Sequence, residues 1–96
     1  MTIYSDVRHV NVRVSGRVQG VFFRATARDT AESLGLKGFV RNEPDGSVYI
    51  EAEGEEEAVK KFLARCKTGP PRAAVSNVEV TDSDVRGFNG FVIARG

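Results

Sequence analysis

The hydrophobic period of this chain switches between two residues and about 3.6 residues in an order that leaves few folds open. Val10, Val12 and Val14 alternate with Asn11, Arg13 and Ser15, as in a strand with one buried face. Beyond Gly16 and Gly20, the residues Phe23, Ala27, Ala31 and Leu34 form one stripe along a helix that Gly35 can end. Leu36, Phe39 and Val40 mark a second strand over 36–42. Pro44-Asp45-Gly46 then supplies a turn, and Val48, Ile50 and Ala52 alternate with Tyr49, Glu51 and Glu53 in a third strand. A second helical stripe, Ala58, Val59, Phe62, Leu63 and Cys66, spans 55–66. Its acidic start, Glu55-Glu56-Glu57, and its later Lys60, Lys61, Arg65 and Lys67 both suit the helix dipole. After Gly69-Pro70-Pro71, alternation returns over 75–82 through Val78 and Val80, and Phe91-Val92-Ile93 can make a short last strand.

The resulting order is β-α-β-β-α-β plus a terminal strand. It predicts an α+β, ferredoxin-like sandwich with an antiparallel sheet and both helices on one face. Residues 1–96 read as a single domain, with 1–7 expected to be a loose tail. A strand-helix-strand crossover returns the chain parallel to its first strand. Strands one and two should therefore end at the same edge, bringing Asn42 toward the loop that precedes Arg24.

Charge narrows the function. Fourteen basic residues against thirteen acidic ones leave a net charge of +1, too little to gather polyanions or anionic membranes, so neither nucleic acid nor membrane is an expected partner. The single cysteine, Cys66, has no thiol to pair with, which fits a reducing, cytoplasmic setting, and its place on the helix stripe predicts a core role. The chain shows neither a signal-peptide pattern nor an apolar run able to cross a bilayer. His9, the single histidine, lacks a recognisable partner and is expected at an edge or surface. The three consecutive glutamates point in different directions on a helix and read as a dipole device rather than a metal site.

The segment Ser15-Gly16-Arg17-Val18-Gln19-Gly20-Val21-Phe22-Phe23-Arg24 runs from a strand end into a first helical turn. Such junctions offer unpaired backbone N–H groups, and glycines let the chain curl so that several converge on one anion. Arg24 is a cation at the positive end of a helix, so it needs a compensating partner. A bound phosphate would serve, because the guanidinium fork matches phosphate oxygens in pairs. A surface ion pair would serve equally well, and spacing alone leaves the two readings even.

Gly16-Arg17-Val18-Gln19-Gly20-Val21-Phe22-Phe23-Arg24 resembles the first signature of the acylphosphatase family, and Gly38-Phe39-Val40-Arg41-Asn42-Glu43-Pro44-Asp45-Gly46-Ser47-Val48 resembles the second. Both occur in order and at the right separation, and the similarity runs from about Val10 to near Gly54, then more loosely to Phe91-Val92-Ile93. Phe39 stands where many relatives carry tryptophan, an exchange of one core aromatic for another. The resemblance implies a hydrolase that cleaves the carboxyl-phosphate bond of a small acyl phosphate, as a cytoplasmic monomer without cofactor or metal. It assigns phosphoryl binding to the backbone of Gly16, Arg17, Val18, Gln19, Gly20, Val21 and Phe22 with the Arg24 side chain, and water orientation to Asn42. Arg17 is placed in the binding region without a catalytic role.

Two rival functions share the fold. A ferredoxin-like module can bind an acyl or carbamoyl phosphate inside a larger enzyme without turnover; a free 96-residue chain speaks against it. RNA-recognition domains have the same element order, and Lys37-Gly38-Phe39 resembles the start of their aromatic motif, but Val40-Arg41-Asn42 lacks the aromatics that should follow.

Overall fold

The computed structural model describes residues 7–95. In chain order they form β1 (Val7–Arg17), α1 (Phe23–Ser33), β2 (Lys37–Asn42), β3 (Val48–Glu55), α2 (Glu56–Thr68), β4 (Ala74–Ser83) and β5 (Phe91–Ile93). The strands make one sheet in the order β4-β1-β3-β2-β5. Neighbouring pairs are antiparallel except β2 and β5, so the terminal strand adds a parallel edge to the expected arrangement. Val7 belongs to β1; the rest of the expected tail lies outside the described residues.

Alternation decides which face is dry. Val10, Val12 and Val14 of β1 and Val48, Ile50 and Ala52 of β3 are buried on the helix side. They meet Phe23, Ala27 and Ala31 of α1 and Val59, Phe62 and Cys66 of α2, the stripes visible in the sequence, in one core. α1 packs on β2 and β5, and α2 packs on β1, β3 and β4. Among the described residues no helix is long and apolar enough to cross a membrane.

The opposite face corrects two expectations. His9 is buried, not exposed, because the β4–β5 connection, residues 84–90, crosses the sheet above it. Its Nδ1 lies 2.8 Å from a Glu53 oxygen and its Nε2 2.8 Å from a Glu51 oxygen, while its ring stacks on Phe88 at 5.8 Å. A neutral imidazole has one N–H, so two such contacts require a second proton within the cluster. Glu53 also accepts the backbone N–H groups of Arg86, Gly87 and Phe88 at 2.8, 2.8 and 3.0 Å, which pins the connection to β3. Burial alone would raise the Glu53 carboxyl, but the hydrogen bonds from the Arg86 N–H, His9 and the Phe88 and Gly87 N–H groups outweigh it and hold the carboxyl below its usual range.

Phe39, expected in the core, lies on this second face. It packs edge-on against Phe88 at 5.9 Å and under the Arg41 guanidinium at 5.6 Å. Odd-numbered β2 residues alternate away from the helices, and the cover that makes His9 and Phe39 a second apolar layer comes from a segment without secondary structure.

Candidate active site

β1 and β2 both run antiparallel to β3, hence parallel to each other, and Val48 of β3 faces Val14 on one side and Asn42 on the other. The end of β1 and the end of β2 therefore sit at one edge of the sheet, two strand spacings or about 10 Å apart. Residues 18–22 and 43–47 extend from this edge toward each other.

The first of these segments is shaped by two apolar pegs. Val18 and Val21 are buried in the core, while Gly20 between them is exposed. Gly20 has a φ of +74°, a conformation with little penalty for glycine, and a methyl group added there would meet nothing within 4 Å. Gly16 differs from what the spacing suggests. It lies inside β1 at a bulge, opposite Val75, where a side chain would collide with the Ala74 carbonyl oxygen. Its requirement is close approach to β4, and the exposed Arg17 follows it as the last residue of the same pairing.

Gln19 joins the two segments. Its side-chain amide donates to the carbonyl oxygens of Glu43 at 2.8 Å and Ser47 at 2.9 Å. The receiving turn is rigid in its own right: the Glu43 N–H donates to the Ser47 carbonyl at 2.8 Å, and an Asp45 oxygen accepts the Ser47 N–H at 2.9 Å and its hydroxyl at 2.6 Å. These Ser47 hydrogen bonds, side chain first, hold the Asp45 carboxyl below its usual range. Arg13 adds a hydrogen bond to the Ser47 hydroxyl at 2.9 Å, and Arg41 one to Glu43 at 2.8 Å. Gln19 was legible only as one member of a loop, because its partners are main-chain carbonyls with no sequence signature.

α1 opens without a side-chain cap. Phe22 occupies the N-cap position with φ 65° and ψ 20°, and the first turn holds no acidic residue. The first amides of α1 thus have no side-chain acceptor, and the helix dipole leaves positive character there. Arg24 adds a full positive charge in that same turn, yet among the described residues it has neither a salt-bridge nor a hydrogen-bond partner. The surface ion pair that would explain it structurally is absent among them. Arg24 lines an open cleft of about 330 Å³ with Val18, Gly20, Phe22 and Ile93 of β5.

Asn42 ends β2, with its backbone paired to β3. Its side-chain oxygen, Oδ1, is buried and has no hydrogen-bond partner among the described residues. Buried acceptors are almost always satisfied, so this orphan at the sheet edge is a rare exception. The remaining chemistry-bearing residues lie elsewhere. His9 pairs with Glu53 near the opposite end of the sheet, five residues or about 17 Å along β1 from Val14. Burial pushes the Cys66 thiol up to about 12, which leaves no thiolate for attack at neutral pH.

An uncapped helix start, an unpaired guanidinium and an orphaned amide oxygen at one sheet edge can grip a tetrahedral anion and hold a water beside it. The family model described as Acylphosphatase matches residues 10–93. An acylphosphatase of Thermotoga maritima is 47% identical over 87 residues, which cover 91% of this chain and 97% of that protein. An acylphosphatase of Archaeoglobus fulgidus is 48% identical over 85 residues, 88% and 96% of the two chains. The solved acylphosphatase of Coxiella burnetii superposes with a TM-score of 0.89 at 40% identity, covering 92% of this chain and 93% of that one.

Proposed function

The chain belongs to the acylphosphatase family, and from that membership we propose how its own residues hydrolyse acyl phosphates. It is a hydrolase of the carboxyl-phosphate bond. The single observation that carries the mechanism is the buried, unpartnered Oδ1 of Asn42 at the same sheet edge as the loop leading to Arg24.

Arg24 and the backbone N–H groups at the start of α1 hold the phosphoryl oxygens, and the 18–22 backbone completes the cradle. Charge builds on these oxygens as the bond to phosphorus loosens, so fixed donors aimed at them lower the barrier without reorganising. The Asn42 amide oxygen accepts a hydrogen bond from water and sets its line of attack. The water oxygen forms the new bond to phosphorus, and the bond from phosphorus to the acyl oxygen breaks with its electron pair leaving on the carboxylate. The proton lost by the water goes to a phosphate oxygen. A carboxylate is a weak base and needs no acid to leave, so neither the distant His9 nor Cys66 is required.

The guanidinium and the amides supply the positive charge that a metal ion would otherwise bring, and on that ground the reaction is metal-independent. A cytoplasmic monomer acting on a small acyl phosphate is the setting that fits one free thiol and a balanced charge. The whole-length match to the Thermotoga maritima protein supports a catalyst over a binding module. The sheet face used by RNA-recognition folds is here crossed by residues 84–90 and carries Glu51 and Glu53, which disfavours that rival. The test is hydrolysis of acetyl phosphate by protein treated with a strong chelator. Undiminished turnover is expected; loss of activity that magnesium or zinc restores contradicts the metal-independent reaction.

A further inference from the structure

Phe22 is the residue of the site whose conformation and burial work against it. A non-glycine side chain at φ 65° costs about 1–2 kcal/mol, and Phe22 is the one described non-glycine residue with positive φ. The residue is 74% exposed, so packing returns little of that cost. An asparagine at this N-cap would adopt the same backbone more easily and would also bond a free helix amide. Phenylalanine here is therefore explained neither by the helix nor by the core.

The ring lies on the wall of the cleft that holds Arg24. Ile93 adds apolar surface, and the cleft is larger than a phosphate group alone occupies. In an acyl phosphate the acyl carbon is one oxygen away from phosphorus. A phosphoryl group held by Arg24 and the first amides of α1 therefore places the acyl substituent beside the residue that starts the helix.

We propose that Phe22 receives the acyl substituent, so that this chain favours acyl phosphates with an apolar, ring-sized acyl group over those with a small one. The inference rests on the hydrolysis of acyl phosphates described above. A face or edge contact between the Phe22 ring and an aromatic acyl group contributes a factor of about 3 to 10 in kcat/KM. Methyl-sized substituents reach too little of the ring to gain it.

The experiment measures kcat/KM for benzoyl phosphate and acetyl phosphate with the wild-type chain, Phe22→Asn and Phe22→Tyr, and compares the benzoyl-to-acetyl ratio. Comparing ratios cancels the difference in intrinsic reactivity of the two substrates. Phe22→Asn keeps the left-handed backbone and removes the ring; Phe22→Tyr keeps the ring. The ratio is expected to fall about 3- to 10-fold in Phe22→Asn and to stay near wild type in Phe22→Tyr. An unchanged ratio in Phe22→Asn, with wild type hydrolysing both substrates, overturns the role of Phe22 and leaves the hydrolase standing. Failure of wild type to hydrolyse either substrate overturns the hydrolase reading and this inference with it.

Discussion

Gln19 donates its side-chain amide to the main-chain carbonyl of Glu43 at 2.8 Å, so the loop before Arg24 and the turn after Asn42 are held as one body. The bond to the Ser47 carbonyl, from the same nitrogen, fixes the other side of that turn. A half-buried amide thus couples the two parts of the site that must agree in position, the phosphate grip and the water holder.

Gln19→Ala should uncouple them. Two hydrogen bonds are lost, which costs about 1–3 kcal/mol of stability in urea unfolding. Turnover of acetyl phosphate should fall about 10- to 100-fold, with kcat falling more than KM rises, because small misplacements of reacting groups are costly. A KM effect alone would show that Gln19 shapes binding without positioning Asn42.

Arg24→Gln should separate activity from stability. Removing the guanidinium is expected to lower kcat/KM by about 10²- to 10³-fold and to weaken competitive inhibition by inorganic phosphate. The same change removes an uncompensated cation from the first turn of α1 and should raise stability by about 0.3–1 kcal/mol. Thermal unfolding beside the kinetics checks both; a destabilised variant would mean that Arg24 has a structural partner after all.

Much of this architecture was legible in the chain. Alternation at Val10, Val12 and Val14 and at Val48, Ile50 and Ala52, with the helix stripes through Ala27 and Phe62, reports burial directly, and burial determines the layers. The β-α-β order likewise places Asn42 and the loop before Arg24 at one sheet edge. The hidden parts are those made by main-chain atoms. Residues 84–90 cover His9 by presenting backbone N–H groups to Glu53, which almost any sequence can do. Gly16 reads as part of an anion loop, yet what demands glycine is the Ala74 carbonyl pressed against it from β4. Gln19 escaped as a tie because carbonyl acceptors are common to every residue.

The His9 cluster predicts a fold whose acid sensitivity is local. His9→Leu takes one hydrogen-bond partner from each of the buried Glu51 and Glu53 and should cost about 1–3 kcal/mol, while the site at the far end of the sheet keeps its turnover wherever the protein stays folded. Because the Glu53 carboxyl is held below its ordinary value of 4.5, its ionised form contributes stability that is present above that pH. That contribution is lost as pH falls through the lowered value. Thermal unfolding of wild type and Glu53→Gln from pH 7 downward should show wild type more stable at neutral pH and the gap closing below about 4.5. A gap that stays constant to pH 3 would contradict the assignment.

The most direct test of the mechanism is the steady-state hydrolysis of acetyl phosphate by Asn42→Ala, with inorganic phosphate inhibition measured on the same protein. Loss of the amide oxygen that orients water should lower kcat by about 10²- to 10³-fold, as for other single preorganised groups, while phosphate inhibition stays within about twofold of wild type. A variant that turns over at the wild-type rate would contradict the role of Asn42 and with it this account of the reaction.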